Sequence, residues 1–398
     1  MSVAVLHRVP RSVTPLDQWL APILPDVTLL TSDDAAGDYG KRIDSVIAFS
    51  DYANDGVVLG SLRELCAAGG ISRIVHVAEA DVLRAAQLRD EFDLPGIRTS
   101  AALAYRDKLV MKEQVAAAGI PTPRFLAPDS ADAAAQFAAS AGYPVVVKPR
   151  LGVGSRGLEI VAGPAGLGAL VPDSWHALLI EEYVSGGMMH VDGFMSDGTV
   201  TFAAVSEYVN DCLSYRQSVP LGSVQLDRSG ADFARVEDFT RRVVHALPPT
   251  DFSPFHLEVF VREADGELVF CEIACRLGGG YIMDTLGLAL GENPAAIAIR
   301  HQAGLIDGDR LRFAARPGSH GFLLVPPRRG CLIRVDTPPP RPYLTDFHVH
   351  SSWPREFDGA SGSGDFVCAF VVSGQDEHAT RQALADCFEL AADCIKWE

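Results

Sequence analysis

The sequence predicts a mixed fold: an N-terminal α/β layer on a parallel sheet, followed by α+β lobes built from antiparallel sheets. Three patterns carry that expectation. In the first hundred residues, short apolar runs at 3–6, 45–49 and 71–77 read as strands. They alternate with stretches at 59–68 and 81–92 whose apolar residues recur at three and four spacing, as strands joined by crossover helices do. Beyond residue 120 strand-like runs dominate, at 122–126, 145–148, 158–161, 177–182, 188–195, 199–207, 255–262 and 267–274. Asp197-Gly198 and Asp265-Gly266 sit between such runs as hairpin turns, which makes their flanking strands antiparallel.

The transition between the two patterns is marked in the chain. A helix over 106–118 stops at Gly119 before the proline-rich IPTPRF, so a boundary is placed near Ala101. The expected units are residues 1–100, an α/β layer; 101–304, the antiparallel lobes; and 305–398, a C-terminal α/β subdomain that completes a substrate cleft. The last unit carries PPPRP at 338–342 and a closing helix over 375–394. No internal repeat interrupts this order.

Composition narrows the class. A chain of 398 residues divides into two or three domains of about 100–200 residues each and buries a substantial core. Apolar residues make up 48% and charged residues 21%, as in folded globular chains, and no apolar run is long enough to span a membrane. The N-terminal apolar stretch is too short for a secretory signal, so a cytoplasmic location is expected. The eight cysteines show no CxxC pair and read as buried free thiols. A formal net charge of −17 with no Lys/Arg cluster disfavours nucleic acid, although fixed local cations still permit small anionic substrates.

YPVVVKPRLGVGSRG, at 143–157, is the most informative segment. Val145, Val146 and Val147 read as a strand buried on both faces, and Lys148 ends it. Gly152, Gly154 and Gly157 then leave backbone N–H groups unshielded, so that the loop can wrap phosphate oxygens, with Ser155 and Arg156 adding a hydroxyl and a charge. The competing reading is an ordinary strand followed by a glycine turn. A Walker loop is excluded because the lysine precedes the glycines. GVGSRG matches GxGxxG, but residues 158–161 read as strand rather than helix, and the dinucleotide reading fails on that context.

Further residues extend this chemistry. Lys108, near the start of a helix, is a second candidate phosphate cation. The strand end IEEYVSG, with Glu181, Glu182, Tyr183 and Val184, offers backbone donors and acceptors to an adenine edge. Folding FHLEVFVREADGELVFCEIACRLGGG about Asp265-Gly266 brings Glu258 and Glu272 together on one face. Like charges so close call for a divalent cation with oxygen ligands, Mg²⁺ above all, while separately solvated carboxylates are the alternative. Arg276, ahead of Gly278, Gly279 and Gly280, is a candidate to grip a carboxylate or phosphoryl oxygen, with a surface salt bridge as the alternative.

Taken in order, Lys108, VVVKPRLGVGSRG, IEEYVSG and HLEVF…CEIACRLGGG resemble the ATP-grasp superfamily over about residues 101–304, and most closely its carboxylate–amine ligases of amino-acid and dipeptide type. The resemblance implies an ATP-grasp fold in which two antiparallel-sheet lobes clamp ATP behind a parallel α/β domain. It implies that Lys108 and Lys148 meet the ATP phosphates under a lid of Gly152, Gly154, Ser155 and Gly157. Glu181, Glu182, Tyr183 and Val184 would hold adenine, and Glu258 and Glu272 would bind Mg²⁺, with Mn²⁺ as a substitute. Arg276 and Lys148 are then the catalytic pair.

Two positions depart from the family pattern. Met188 stands where a ribose-binding glutamate is usual, leaving His190 or Asp192 as substitutes, and Ala274 replaces an asparagine metal ligand. The implied reaction joins a small-molecule carboxylate to an amine, both amino acids, through an acyl phosphate, giving ADP and phosphate; a homodimer is a compatible assembly. Residues 207–225, with Arg216, and the pair Arg328 and Arg329 are candidates for the acceptor pocket. The alternatives are a purine-synthesis or carboxylase-type ATP-grasp reaction, or an ATP-binding regulatory protein without turnover.

Overall fold

The computed structural model describes residues 2–398. Its N-terminal layer is a parallel sheet in the order Ser45–Phe49, Val27–Ser32, Ser2–Leu6, Ile71–His76. The helices Asp55–Ala67 and Glu79–Glu91 supply Val58, Leu62, Ala85 and Leu88 to its core. Asn54 caps the first by accepting from the Val57 N–H. The strand Val27–Ser32 was not among the expected ones, because Thr28, Thr31 and Ser32 dilute its apolar pattern.

At the end of the first strand His7 is 1% exposed, and burial pushes its pKa down to about 4. The sign follows directly. Between pH 6.5 and 4 the unfolded chain binds a proton that the folded chain refuses, so stability present above 6.5 is lost as pH falls. Moving from pH 7 to 5 is expected to cost about 2 kcal/mol through this group. Urea unfolding of wild type and His7→Phe at both pH values measures it; equal pH losses in the two proteins would remove His7 from the account.

A small antiparallel sheet follows, ordered Phe125–Leu126, Leu178–Glu182, Val145–Pro149, Glu159–Val161. The helix Ala131–Ala141 covers one face, packing Ala134 and Ala138 on Val145, Val147 and Ile180. Val146 points the other way and lines a cleft. The strand is therefore buried on one face only, correcting the expectation drawn from its uninterrupted valines.

The larger sheet has eight strands, all antiparallel: Leu268–Ala274, Ser253–Arg262, Gly186–Ser196, Thr199–Tyr208, Leu221–Gln225, Ser319–Val325, Cys368–Gly374 and Leu344–Val349. It runs on through strands beyond residue 305. Asp197 and Gly198 both take positive φ, 47° and 70°, as a tight hairpin turn requires. The helix Ala231–Ala246 lays Phe233, Val236, Phe239, Val243 and Val244 against the sheet, a stripe at three and four spacing. The closing helix Glu377–Cys394 does the same farther along with Ala383, Leu384, Cys387 and Ala391, its N-terminus capped by Asp376. All eight cysteines are free, and burial raises the Cys368 thiol to about 12. Among the described residues no helix is long and apolar enough to cross a membrane.

Candidate functional site

Between the small sheet and the large one lies a cleft of about 340 Å³. Lys108, Lys148, Gly152, Gly154, Ser155, Glu181, Glu182, Tyr183, Val184, Glu258 and Glu272 all line it. Elements far apart in sequence deliver them. Lys108 opens the helix Lys108–Ala117, whose N-cap Asp107 accepts from Leu109 N–H and is itself held by Arg150 at 2.5 Å. Lys108 Nζ donates to the Gly152 carbonyl at 2.9 Å and lies 3.2 Å from Glu272 Oε2. One ammonium thus ties the glycine loop to the opposite sheet.

Glu272 and Glu258 are direct cross-strand partners. Burial alone raises the Glu272 carboxyl, but Lys108 and Lys148 outweigh it and hold the group well below the usual carboxylate range. Glu258 accepts from Tyr208 Oη at 3.2 Å. Two carboxylates facing each other at the cleft wall fit a hard divalent cation. Ala274, farther along the same strand, contributes no donor.

Lys148 Nζ reaches Glu181 Oε2 at 3.1 Å, while Lys112 Nζ, fully buried and over the Phe270 ring, lies 3.3 Å from the other oxygen. Glu181 is 3% exposed and sits between the two cations, which keep it ionised against burial. Its side chain thus acts first as a counter-ion. Lys112 was missed in the sequence, although it stands one turn beyond Lys108 on the same helix and so shares its face. Glu182 pairs with Arg124 at 2.6 Å, and residues 182–184 line the cleft.

In the loop, Gly154, Ser155 and Gly157 take positive φ of 59°, 58° and 69°. Gly157 stands at the loop's base rather than on the cleft wall, where a Cβ would come within 3.0 Å of Pro149 Cγ. Arg216 donates to the Leu158 carbonyl at 2.5 Å, beside this loop, and Arg328 lies over Trp397 instead of entering the cleft.

Two expected residues stand elsewhere. Arg276 is absent from the cleft wall; its Nε pairs with Glu79 of the N-terminal layer at 2.5 Å, and Glu79 also faces Arg106 at 3.6 Å. His190 is corrected outright as a ribose contact. It is 1% exposed, with Nδ1 on Asp192 at 2.6 Å and Nε2 on Ser223 at 2.7 Å, so both ring nitrogens are committed below the surface. Asp192 bonds His256 Nδ1 at 2.9 Å as well, and although burial works against its imidazolium, Asp192 lifts His256 to about 10. Met188 lines the cleft, its sulfur 3.6 Å from Cys212 Sγ.

A four-stranded and an eight-stranded antiparallel sheet closing on one cleft, behind a parallel α/β layer, give the chain an ATP-grasp fold. Residues 107–188 match the family model for the carbamoyl-phosphate synthase L chain, ATP binding domain. The chain is 28% identical over 267 residues to an L-arginine-specific L-amino acid ligase of Bacillus subtilis, covering 65% of this chain and 64% of that protein. It thus spans under two thirds of the length of the curated relatives it matches. Among solved structures, an L-amino acid ligase from Bacillus licheniformis superposes with a TM-score of 0.73 at 13% identity, covering 100% of this chain and 99% of the other. A phosphoribosylglycinamide synthetase from Anaerococcus prevotii gives 0.71 at 13% identity, with coverage of 100% and 99%. These likenesses establish the fold.

Proposed function

We propose that the protein is an ATP-dependent carboxylate–amine ligase that activates the carboxylate of an amino acid as an acyl phosphate and joins it to an amine. The observation that carries this reading is the Glu258 and Glu272 pair facing across adjacent strands, with Lys108 3.2 Å from Glu272 and Lys148 in the same cleft. That set of charges suits a metal-bound polyphosphate. The relationship to an L-amino acid ligase favours amino acids as substrates.

In this reading the backbone of residues 182–184 meets the adenine edge, and Lys108, Lys148 and the glycine-loop N–H groups hold the phosphates. Glu258 and Glu272 hold Mg²⁺, or Mn²⁺, which when bound neutralises phosphate charge. A substrate carboxylate oxygen attacks the γ-phosphorus and ADP departs, while Lys148 steadies the charge that develops. The amine then attacks the acyl carbon, loses a proton, and expels phosphate to leave an amide. Arg276 would have to leave Glu79 and turn toward the cleft to steady the acyl phosphate. The glycine loop excludes water from that intermediate.

The test is a pairwise amino-acid screen with ATP and Mg²⁺ that follows ADP and phosphate release and identifies the product by mass. At least one pair is expected to give stoichiometric ADP, phosphate and a dipeptide. Retained ATP binding with no pair releasing ADP would overturn the ligase reading.

A further inference from the structure

Away from the cleft, a second cavity of about 40 Å³ lies where the parallel sheet meets the helix Pro294–Gln302 and the segment carrying Cys275. Its wall carries arginines and histidines. Arg73, His76, Arg89 and His301 line it, and Asp251 is the single acid among its lining residues. Arg276 also borders it but is already paired with Glu79.

Arg89 is 1% exposed, and its guanidinium donates only to neutral acceptors: the Ile74 carbonyl at 2.7 Å, Gln302 Oε1 at 3.2 Å and the Ile97 carbonyl at 3.4 Å. Its Nε–H meets no acceptor among the described residues. Gly96, at φ +120°, packs against this edge, where a Cβ would come within 2.6 Å of Nε. Beside it His76 is 4% exposed, and its Nδ1 is likewise unpartnered. Burial keeps His76 neutral, so this nitrogen can carry the hydrogen, and burial pushes the Arg89 pKa down to about 10. Asp251 acts on this guanidinium through space but forms no ion pair with it, and a desolvated cation without a bonded counter-ion is an unfavourable arrangement that a bound anion relieves.

We propose that this cavity binds one small inorganic anion of chloride size, with Arg89 and His76 as its donors. Water would satisfy the two N–H groups but would bring no negative charge to the guanidinium. The volume suits a single monatomic ion or one or two waters and excludes nucleotides and amino acids. Such an ion would join the strand Ile71–His76 and the helix Glu79–Glu91 to the helix Pro294–Gln302, and its presence does not depend on the ligase reading.

The experiment follows the unfolding midpoint of the full chain as sodium chloride or bromide replaces sodium gluconate at constant ionic strength. The expected result is a saturable rise in Tm of about 2–5 °C, since an ion that binds only the folded chain stabilises it by mass action. Arg89→Leu is expected to abolish the rise. Should that variant fail to fold, His76→Leu decides: it keeps the guanidinium, loses one donor, and is expected to need about tenfold more halide for the same shift. Bromide-soaked crystals should show an anomalous peak between Arg89 and His76. Equal midpoints in chloride and gluconate overturn the proposal, as does an unchanged halide response in the folded variants or a cavity that holds only water.

Discussion

Glu272→Ala is expected to lower ATP turnover by about 10²–10³-fold, the scale on which a preorganised electrostatic group acts in such sites. The carboxylate faces Glu258 across the hairpin and is kept ionised by Lys108, so its loss removes one of two oxygen donors offered to a cation. Folding should be largely spared. The side chain is 28% exposed, and Lys108 keeps its bond to the Gly152 carbonyl when its partner is gone. Steady-state ADP release across a Mg²⁺ titration, with Tm as a control, separates the two effects. A raised Mg²⁺ requirement at unchanged Tm supports the assignment, and unaltered turnover removes the metal role.

Glu181→Ala is expected to be the most destabilising single change at the site, by about 3–5 kcal/mol, because it strands buried charge. The carboxylate lies 3.3 Å from Lys112 and 3.1 Å from Lys148, with Lys112 completely buried. Without it, two ammonium groups share a desolvated space with no counter-ion between them. Lys112 then has a route to relief by deprotonation, since burial already lowers its pKa. Adding Lys112→Met to the Glu181→Ala protein should therefore recover part of the loss, which urea unfolding of both singles and the double reads as a coupling energy. Strict additivity would mean that the two residues do not communicate through this contact.

The legible part of the fold was local. Alternating apolar residues, Asp-Gly turns and the glycine stop after the helix at 108–117 each act over a few residues, and the strands they announced recur with small shifts at their ends. The facing of Glu258 and Glu272 was also readable, because a hairpin and its turn fix register within one segment. The strand Val27–Ser32 lacked such a signal, and the joining of Ser319–Val325 to Leu221–Gln225 is a pairing of distant segments that no local pattern announces. His190 shows the same limit at the site. Its position after the hinge suggested a ribose contact, but Ser223 and Asp192 claim both its nitrogens inside the sheet.

By itself, then, the sequence determined the order of strands, turns and glycine loop and the residue types that suit phosphate and metal, since these follow from backbone preference and side-chain chemistry over short stretches. Only the tertiary structure decided which charges from distant segments meet. Glu181 is shared by Lys112 and Lys148, and Arg276 is held by Glu79 across 197 positions of chain. The strength and partner of a buried charge depend on what the whole fold packs around it, and that is set by contacts between segments that carry no mark of one another.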